Sequence, residues 1–529
     1  MHLNNKLVLF PIFLYFFLFF SVAKASAATY YSSSTGSGTT CSLASPCTLN
    51  TGLSKLTAGS TLFLRGGSYN QAVYVSNSGT STAPITISGY PGETAIIDGN
   101  DTIPGGCGSN CWYDVLVSLV GNFITFRDIE VKRSYGMGIM ATGNYVKIIN
   151  VSSHHNWENG ILLAGNGQFQ TVENSRVFNN CRSNENGSRG RDTYWGSGLS
   201  AARHPNGATI RGNTVYNNWG EGLSSYEATN TLIEDNIIYD NWSVNVYLSD
   251  TTGTVFQRNV VYRTGAVSGT GGAEAGVALG DEICNPESSD NKILNNIVWG
   301  FGRNIEYWGG AACNTHGLLN VVIANNTLVN ATDVGDSSKP GGNLYITVSG
   351  GKAHANTIIQ NNLVYQSQSD SVPICFFGTK TGLTLGHNLW SKSCSSGSGS
   401  SDVVGDPLLT RIGTMPDPAW FKLSVNSPAL DKAVVISQVT DDYFKTIRGS
   451  LPDIGAHEYI SGVTPTPTPN TCPLKSYGDT NCLGTIDITD LNYLLSHYGT
   501  SDQASDLNSS GKVNLLDLSI LIRNFGRTS

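Results

Sequence analysis

Three acidic residues, Glu227, Asp250 and Asp281, recur at one position of a repeated phrase, each four residues after an aliphatic residue. If those aliphatic residues stack as neighbouring β-strands, the three carboxyl groups lie above one another at roughly 4.8 Å spacing. Carboxylates at that spacing repel one another unless a cation, a shared proton or a substrate relieves the repulsion. We therefore expect them to face one cleft and to form a reaction centre. The alternative is a solvated turn in which Arg203, one repeat earlier, pairs with Glu227.

Two kinds of sugar chemistry fit this column. A glycoside hydrolase needs one carboxylic acid to protonate the leaving oxygen and one carboxylate to activate water or attack the sugar. A polysaccharide lyase needs a cation to neutralise a uronate carboxylate and a base to abstract the C5 proton. Acids that hold Ca²⁺ beside Arg203 or His204 would supply both. The number of acids favours hydrolysis slightly, and a non-catalytic carbohydrate-binding or adhesion protein is the third alternative.

Four more side chains are expected to point outward on the same face and to line a sugar groove: Tyr226, Tyr247, Glu306 and Trp308. Flat aromatic rings suit the faces of pyranose rings. The alternative is that these are ordinary surface side chains. Glu158 and Glu221 are further candidate acids, beside a column of aromatic residues.

These residues depend on a repeat that must position them. From Phe123 onward an apolar residue is followed within three positions by Asn and then by β-branched residues. The Asn positions are 213, 236, 259, 296, 326 and 362, and Asp128, Asn150, Asn174 and Asn388 are assigned to the same slot. The shortest steps are 22 to 24 residues, too few to bury an apolar face alone. Successive rungs must therefore stack as parallel strands, with the Asn side chains forming an inward hydrogen-bonded ladder.

A second column sets the register. The first inward residues of the next strand are Ile139, Ile161, Leu199, Leu223, Val246, Val277 and Ile305. An aromatic residue lies four positions before six of these seven anchors, and Ala273 holds that position before Val277. The six aromatic residues are Tyr135, Trp157, Trp195, Trp219, Trp242 and Phe301. The column is either a stacked corner of the solenoid or a sugar-stacking platform.

Composition narrows the class of protein. Only 13% of the residues are charged and the net charge is −8, which argues against a nucleic-acid partner. At the start of the chain Lys6 precedes an apolar run over residues 7–23, and Ala25, Ser26 and Ala27 form a small-residue cleavage site. Residues 1–27 are therefore expected to be a signal peptide, with no membrane span after its removal and an extracellular or cell-surface location.

Eleven cysteines fit an oxidising compartment. The close spacing of several predicts local disulfides, and two more lie on neighbouring turns. The predicted pairs are Cys41 with Cys47, Cys107 with Cys111, Cys284 with Cys313, Cys375 with Cys394, and Cys472 with Cys482. Cys181 is left unpaired.

Two stretches resemble the ends of bacterial β-helix proteins. The opening stretch runs from Ile85 to Asp98, and the closing stretch contains Asp406-Pro-Leu-Leu, Phe421-Lys-Leu, Ser427-Pro-Ala-Leu-Asp431 and Asp453-Ile-Gly-Ala-His-Glu-Tyr459. The resemblance, to the pectate-lyase-like superfamily of carbohydrate-active proteins, implies a mainly β, right-handed parallel β-helix over residues 28–460. It implies a polysaccharide substrate but no single activity, because lyases, hydrolases, epimerases and adhesins share this fold.

A Thr/Pro linker over residues 461–470 marks a boundary before a small α-helical domain, residues 471–529. Two loops there place oxygen-bearing side chains and a glycine in the pattern of a calcium loop, each running into an apolar helix, over 491–498 and 518–525. The candidate ligands are Asp479, Asn481, Thr485, Asp487 and Asp490 in the first loop, and Asp506, Asn508, Ser510, Lys512, Asn514 and Asp517 in the second.

The paired loops are similar to a type I dockerin, which implies docking onto a cohesin-type scaffold protein. One position departs from the pattern, because Leu483 stands where the first loop should carry a ligand. The first site is therefore expected to bind Ca²⁺ less well than the second. Ca²⁺ is the expected cofactor of these loops, and the acid column of the β-helix is a second candidate Ca²⁺ site.

Overall fold

The computed structural model describes residues 27–104, 114–187, 196–265, 275–309, 315–332, 341–348, 352–367, 376–394, 397, 399–413, 415–460, 477–480, 485–502, 505–508 and 510–527. The chain divides into two compact units, one ending at Tyr459 and the other beginning at Ile460. The predicted signal peptide, except for its last residue, and the Thr/Pro linker lie outside the described residues. In the part of the chain that is described, no helix has the length and apolar character needed to cross a bilayer.

The first unit is built from three parallel sheets, and the chain visits them in turn. Sheet I contains Thr29–Ser32, Thr61–Leu64, Ile85–Gly89, Ile124–Arg127, Lys147–Ile149, Thr171–Glu173, Thr209–Arg211, Leu232–Glu234, Val255–Gln257, Lys292–Leu294, Val322–Ala324, Thr357–Gln360 and Leu383–Gly386. Sheet II contains Gly67–Tyr69, Ala95–Asp98, Glu130–Lys132, Ser152–His154, Arg176–Phe178, Thr214–Tyr216, Ile237–Tyr239, Val260–Tyr262, Ile297–Trp299, Thr327–Val329, Leu363–Tyr365, Leu389–Trp390 and Val403–Val404. Sheet III contains Val73–Val75, Val115–Leu119, Met137–Ala141, Ile161–Leu163, Ser197–Ala202, Glu221–Tyr226, Val246–Ser249, Ala275–Asp281, Arg303–Gly309, Gly342–Val348 and Phe376–Gly378.

Short helices accompany the sheets. Helix α1, Leu49–Ser54, contacts the first two strands of sheet I, and its N-cap Thr48 accepts a hydrogen bond from Thr51 N. Two 3₁₀ helices cover Arg182–Gly187 and Pro418–Phe421.

The interior is one continuous apolar core along the solenoid. On sheet I, Ile210, Ile233 and Phe256 occupy consecutive rungs in register, and each is 0% exposed. Each fully buried aliphatic or aromatic side chain contributes roughly 1.5–3 kcal/mol. Because side chains alternate along a strand, burial of this column sends the neighbouring residues outward and fixes the register.

The asparagine ladder lies at the corner between sheets I and II. From Asn213 to Asn388, each Asn Nδ2 donates to the Oδ1 of the next Asn at 2.9 to 3.1 Å. This part of the prediction is confirmed. Every amide in the series is buried, and a satisfied buried hydrogen bond contributes about 1 kcal/mol net.

Three residues assigned to the same slot do not belong to it. Asp128, Asn150 and Asn174 lie one residue earlier, in the left-handed region with φ of 57°, 51° and 50°. They form a separate column on the outside of the turn, where Asn150 Nδ2 donates to Asp128 Oδ1 at 2.7 Å. Asn is favoured both in left-handed turns and in the inward ladder, so residue type alone does not separate the two positions.

A second amide ladder lies at the corner between sheets II and III and was not predicted. It runs through Asn156, Asn180, Asn218, Asn241 and Asn245, with Nδ2 to Oδ1 distances of 2.7 to 3.0 Å. All five side chains are buried.

The aromatic column follows this second ladder in part. Trp157 N donates to Ser134 O, and Trp242 N donates to Asn218 O, so Trp157 follows Tyr135 and Trp242 follows Trp219 from rung to rung. Trp195 and Ala273 lie outside the described residues. A stack of parallel rings lies elsewhere, on the outer face of sheet II: Phe178, Tyr216, Tyr239, Tyr262 and Trp299, with centroids 4.7 to 5.7 Å apart.

The closing segment, residues 406–460, packs onto the outer face of sheet II. Phe421 and Ile454 belong to one buried apolar cluster with Tyr262 of that sheet. Polar contacts hold the segment in place: Arg258 pairs with Asp441 at 3.2 Å, and the buried Arg448 donates to Asn295 Oδ1 at 2.8 Å.

Among the cysteines that the structure describes, one predicted disulfide and the unpaired Cys181 are confirmed. Cys41 and Cys47 form a disulfide, and Cys181 is buried and free. Cys284 and Cys394 are each disulfide-bonded, while their predicted partners Cys313 and Cys375 lie outside the described residues. The same holds for the predicted pairs Cys107 with Cys111 and Cys472 with Cys482.

The second unit contains helices α2, Ile488–Ser496, and α3, Leu515–Arg523. Its small core consists of Ile486, Leu494, Val513 and Leu521. Both helices begin three residues before the predicted starts. The reason is a capping box at each N-terminus, which draws the end of the preceding loop into the first helical turn.

Candidate active site

Sheet III has the register expected for it. Ile139, Ile161, Leu199, Leu223, Val246, Val277 and Ile305 pair in series and are each 0% exposed. Where the sheet ends, Arg203 N donates to Tyr226 O, Glu227 N to Ser249 O and Asp250 N to Gly280 O. The predicted turn column of Arg203, Glu227, Asp250 and Asp281 therefore exists as a backbone column.

The carboxylates of this column do not face one cleft, so that expectation is wrong. Asp250 is 0% exposed and accepts hydrogen bonds from the backbone N–H groups of Glu282, Ile283 and Cys284 at 3.1, 3.0 and 2.6 Å. The chain beyond Asp281 folds back over the turn and brings these amides to the carboxylate. Asp250 therefore holds the loop together and presents no free oxygen to a substrate.

Asp281 is also turned into the protein. It is 1% exposed and accepts a hydrogen bond from Ser288 N at 2.7 Å. Burial raises the pKa of Asp281 to about 6. Glu227 and Arg203 stay half-buried at the edge of the sheet, and His204 is exposed beside them.

The outer face of sheet III gathers three of the four predicted groove residues. Tyr247 packs in a small apolar cluster with Tyr226 and Trp308, and its hydroxyl donates to Glu282 Oε1 at 2.8 Å. Gly280 leaves room for this arrangement, because a Cβ there would lie 3.1 Å from both the Trp308 ring and the Tyr247 hydroxyl. Two phenols and one indole therefore share one part of the face.

Glu306, the fourth predicted groove residue, is held by an ion pair. Its carboxylate lies 2.9 Å from Arg303 Nε, and both side chains are buried. The Arg303 guanidinium also lies over the Tyr345 ring, 5.3 Å from its centroid. Glu306 is therefore a structural anchor of this face.

Glu221 is the acid that the outer face leaves available. Its Oε2 accepts a hydrogen bond from Ser197 Oγ at 2.7 Å, and Ser197, Ser224 and Ser200 continue as a chain of hydroxyl contacts at 2.7 Å each. Burial raises the pKa of the partly exposed Glu221 carboxyl to about 7, and the charge of Glu282 acts in the same direction. A carboxyl group with this pKa exchanges protons near neutral pH.

Glu158 lies deeper at the same corner. Its side chain is 4% exposed. Burial of the Cys181 thiol raises the pKa of that thiol, and the charge of Glu158 raises it further. Sequence reasoning ranked Glu158 and Glu221 behind the turn column. Regular alternation counted from the inward anchor Leu223 would turn Glu221 inward, so the sequence pattern did not identify it as an outer-face acid.

The β-helix does not present a carboxylate cage for Ca²⁺ in the described residues. Nowhere among them do three or more His, Cys, Asp or Glu side chains converge on one point. Asp250, a predicted member of such a site, is saturated by backbone donors.

The second candidate calcium loop of the C-terminal unit has a donor set that suits Ca²⁺. Asp506 accepts from Ser510 N at 2.9 Å and Gly511 N at 2.7 Å, so the loop wraps around that carboxylate. Asp517 is 0% exposed and accepts from Asn508 N at 3.0 Å. Carboxylate, amide, hydroxyl and backbone carbonyl oxygens of this loop are the hard ligands that Ca²⁺ takes, with Lys512 contributing through its carbonyl.

The ninth residue of each loop has a second task. Asn514 Oδ1 accepts from Leu516 N at 2.8 Å as the N-cap of α3, and Asp487 caps α2 through Thr489 N at 2.8 Å. In the first loop Asp479 and Asp490 are both 0% exposed, while Asn481 and Leu483 lie outside the described residues.

Comparison with known proteins places the β-helix in a family. Residues 29–333 match the model described as Pel9A-like, right handed beta helix region. The chain belongs to this family. It is thus a member of a pectate-lyase-like family of right-handed β-helix proteins, and the predicted right-handed parallel β-helix is confirmed.

Curated relatives carry related names. Pectate lyase PEL9 of Emericella nidulans is 29% identical over 188 residues, which is 33% of this chain and 43% of the fungal protein. Pectate lyase L of Dickeya dadantii is 23% identical over 429 residues, 78% of this chain and 86% of that protein. The crystal structure of pectate lyase Pel9A has a TM-score of 0.51 at 19% identity and covers 82% of this chain and 97% of that one, which supports the shared fold.

Proposed function

We propose that this chain is a polysaccharide lyase that cleaves a uronate-containing glycan by β-elimination on the outer face of sheet III. The family match and the pectate lyase relatives support elimination over hydrolysis, so the lyase alternative replaces the hydrolase that the number of acids favoured. The observation that carries the proposal is Glu221, an acid on that face whose pKa is about 7.

Glu221 is proposed as the base. The C5–H bond breaks with its proton going to Glu221, and its electron pair delocalises into the C6 carboxylate of the sugar as an enolate. That pair forms the C4–C5 double bond as the C4–O4 bond breaks, and the departing oxygen keeps the C4–O4 electrons and takes up a proton from solvent. Ser197 holds the Glu221 carboxylate in place through its 2.7 Å hydrogen bond. Arg203 and His204, at the edge of the same face, are candidate contacts for substrate carboxylates.

The reaction type is tested by measuring unsaturated uronide absorbance and reducing ends together on pectin, alginate, xylan and glucan. We expect both signals on a uronate polymer, and loss of about 100-fold or more in kcat for Glu221→Gln. Glu173→Gln, a partly exposed acid on the outside of sheet I, is the matched control and should retain activity. Reducing ends without unsaturated product would establish a hydrolase, and no product from any glycan would favour the non-catalytic alternative.

We further propose that the C-terminal unit is a dockerin-like module that binds a cohesin-type domain in the presence of Ca²⁺, on a chain exported through residues 1–27. The hard oxygen donors of the second loop support Ca²⁺ binding there. Calorimetric titration of the full chain with Ca²⁺ should show a tighter site that Asp517→Asn abolishes. Equal affinity in that variant, or cohesin binding that survives chelation of Ca²⁺, would contradict the proposal.

A further inference from the structure

An open cleft of about 460 Å³ lies at the first rung of the β-helix, far along the solenoid from Glu221. Tyr74 belongs to Val73–Val75, the first strand of sheet III, and 63% of its surface is exposed. Asn50 and Ser54 line the cleft from the side of α1, and Asn77 from the end of the strand. The cleft is in the size range of small-molecule sites.

Two amides beside the Tyr74 ring are held in fixed orientations. Asn77 Nδ2 donates to Leu56 O at 2.6 Å, which leaves its amide oxygen as a free acceptor. Asn50 Oδ1 accepts from Gln71 Nε2 at 2.7 Å, which leaves its amide N–H groups as donors. Both side chains are exposed. A ring face with a positioned donor and a positioned acceptor matches the apolar face and the hydroxyl groups of a pyranose.

The charge of the cleft differs from that of the middle of the face. None of the residues that line it is charged. The middle of sheet III carries Glu221, Glu282 and Glu227, with Arg203 as a nearby cation. A cleft of amides, hydroxyls and one aromatic ring selects hydroxyl groups and a ring face, and it has no charge to select a uronate carboxylate.

The register connects the cleft with the candidate active site. Tyr74 pairs with Ser118, and the same outward column continues through Met140, Leu162 and Ser200 to Ser224. Five rung steps separate Tyr74 from Ser224, which corresponds to roughly 24 Å along the solenoid. A glycan of several pyranose units that follows this column would contact both places.

We infer that the Tyr74 cleft is a distal subsite that binds a pyranose unit of the polysaccharide through its hydroxyl groups and ring face, several units away from the bond that is cleaved. The inference rests on the proposed function only for the position of that bond. Because the subsite is distant, it contributes to binding of long chains and not to the chemical step.

The test compares Tyr74→Ala with Tyr74→Phe, which keeps the ring, and with Tyr145→Ala, which removes an exposed tyrosine from a turn outside the cleft. Affinity electrophoresis of the full chain in gels containing polygalacturonate, alginate, xylan or glucan measures binding without turnover when each chain also carries Glu221→Gln. At least one glycan should retard the parent chain, Tyr74→Ala should weaken that retardation about 3- to 10-fold, and the other two should keep it. No retardation by any glycan, or equal retardation of all four chains, would overturn the inference.

Kinetics separate this inference from the proposed reaction. Without Glu221→Gln, Tyr74→Ala should raise KM for the polymer, leave kcat unchanged, and leave a trisaccharide substrate unaffected because it is too short to reach both places. An equal loss on the trisaccharide would overturn the distal placement. If no glycan is cleaved at all, the proposed lyase function fails, while the electrophoresis still decides whether the cleft binds sugar.

Discussion

Glu221 and Asp250 are acids on adjacent rungs of sheet III with opposite surroundings. Asp250 ends its strand in a left-handed turn with φ of 51° and accepts three backbone N–H groups. Glu221 begins its strand on the outer face, accepts one serine hydroxyl, and is partly exposed. The Asp250 carboxylate therefore stabilises the loop, whereas the Glu221 carboxylate can contact a substrate.

The difference shows what a column of like residues in a solenoid does and does not mean. Stacking brings residues of one position within about 5 Å of each other whatever their role. The hydrogen bonds that each side chain accepts decide whether its carboxylate oxygens are already satisfied or can still contact a substrate. In the turn column a returning loop supplies those bonds, and among the described residues of the outer face Ser197 and Glu282 act on Glu221.

Replacement of the turn carboxylate should have the largest effect on stability. Asp250→Asn places an amide where three backbone donors need an acceptor, and we expect a loss of about 3 kcal/mol in unfolding free energy, measured by chemical denaturation. Asp290→Asn, at an exposed left-handed turn position, is the control and should change stability little. Equal stability of the two variants would mean that the loop does not depend on Asp250.

Replacement of Glu221 should stabilise the protein at alkaline pH, whereas replacement of Asp250 should destabilise it. Its pKa is about 7 in the folded chain and 4.5 as a free group, so the folded state holds the extra proton and wild-type stability falls as pH rises between those values. Gln does not titrate. At pH about 8 Glu221→Gln should therefore be more stable by about 2 kcal/mol, allowing for partial exposure, with no difference near pH 4. A destabilised variant at pH 8 would show that the carboxylate is satisfied like that of Asp250.

Glu282 should tune the acid limb of the pH profile. Its charge raises the pKa of Glu221, and a base acts only when deprotonated, so kcat/KM should rise with pH through about 7 in the parent chain. Glu282→Gln should move this limb to lower pH. Glu287→Gln, on the same loop but bound to Thr315, should leave it in place. If the acid limb of the kcat/KM profile stays at the same pH in Glu282→Gln, the limb does not report the ionisation of Glu221.

The smallest effect is expected at Glu227. It is half-buried at the edge of the turn column, and Glu227→Gln should change unfolding free energy by no more than about 0.5 kcal/mol and kcat/KM by about twofold. Steady-state rates on the cleaved polymer measure this directly. A large loss of kcat/KM in Glu227→Gln would indicate that the reaction centre includes the turn column.

The fold was predictable to the residue on sheet III. The seven aliphatic anchors all pair as expected, because buried columns tolerate only apolar side chains and a one-residue slip would expose every one of them. The asparagine ladder was predictable from Asn213 onward for the same reason. In the earlier rungs the inward ladder position is occupied by Ile129, Val151 and Ser175. The acidic or amide residue just before each of them was therefore assigned to the ladder incorrectly.

The candidate site was predictable as a region but not as a set of atoms. Tyr226, Tyr247 and Trp308 come together on the expected face, and Glu221 lies on it as well. Glu306 could not be recognised as an anchor, because its partner Arg303 is identifiable only when both side chains are seen buried together.

The amino-acid sequence by itself determined the rungs and their register, because strand periodicity and buried apolar columns are local patterns that stacking repeats. Only the tertiary structure decided which acids stay available. That outcome depends on where a returning loop places its backbone amides and on how much water each carboxylate loses, and neither quantity is local in sequence.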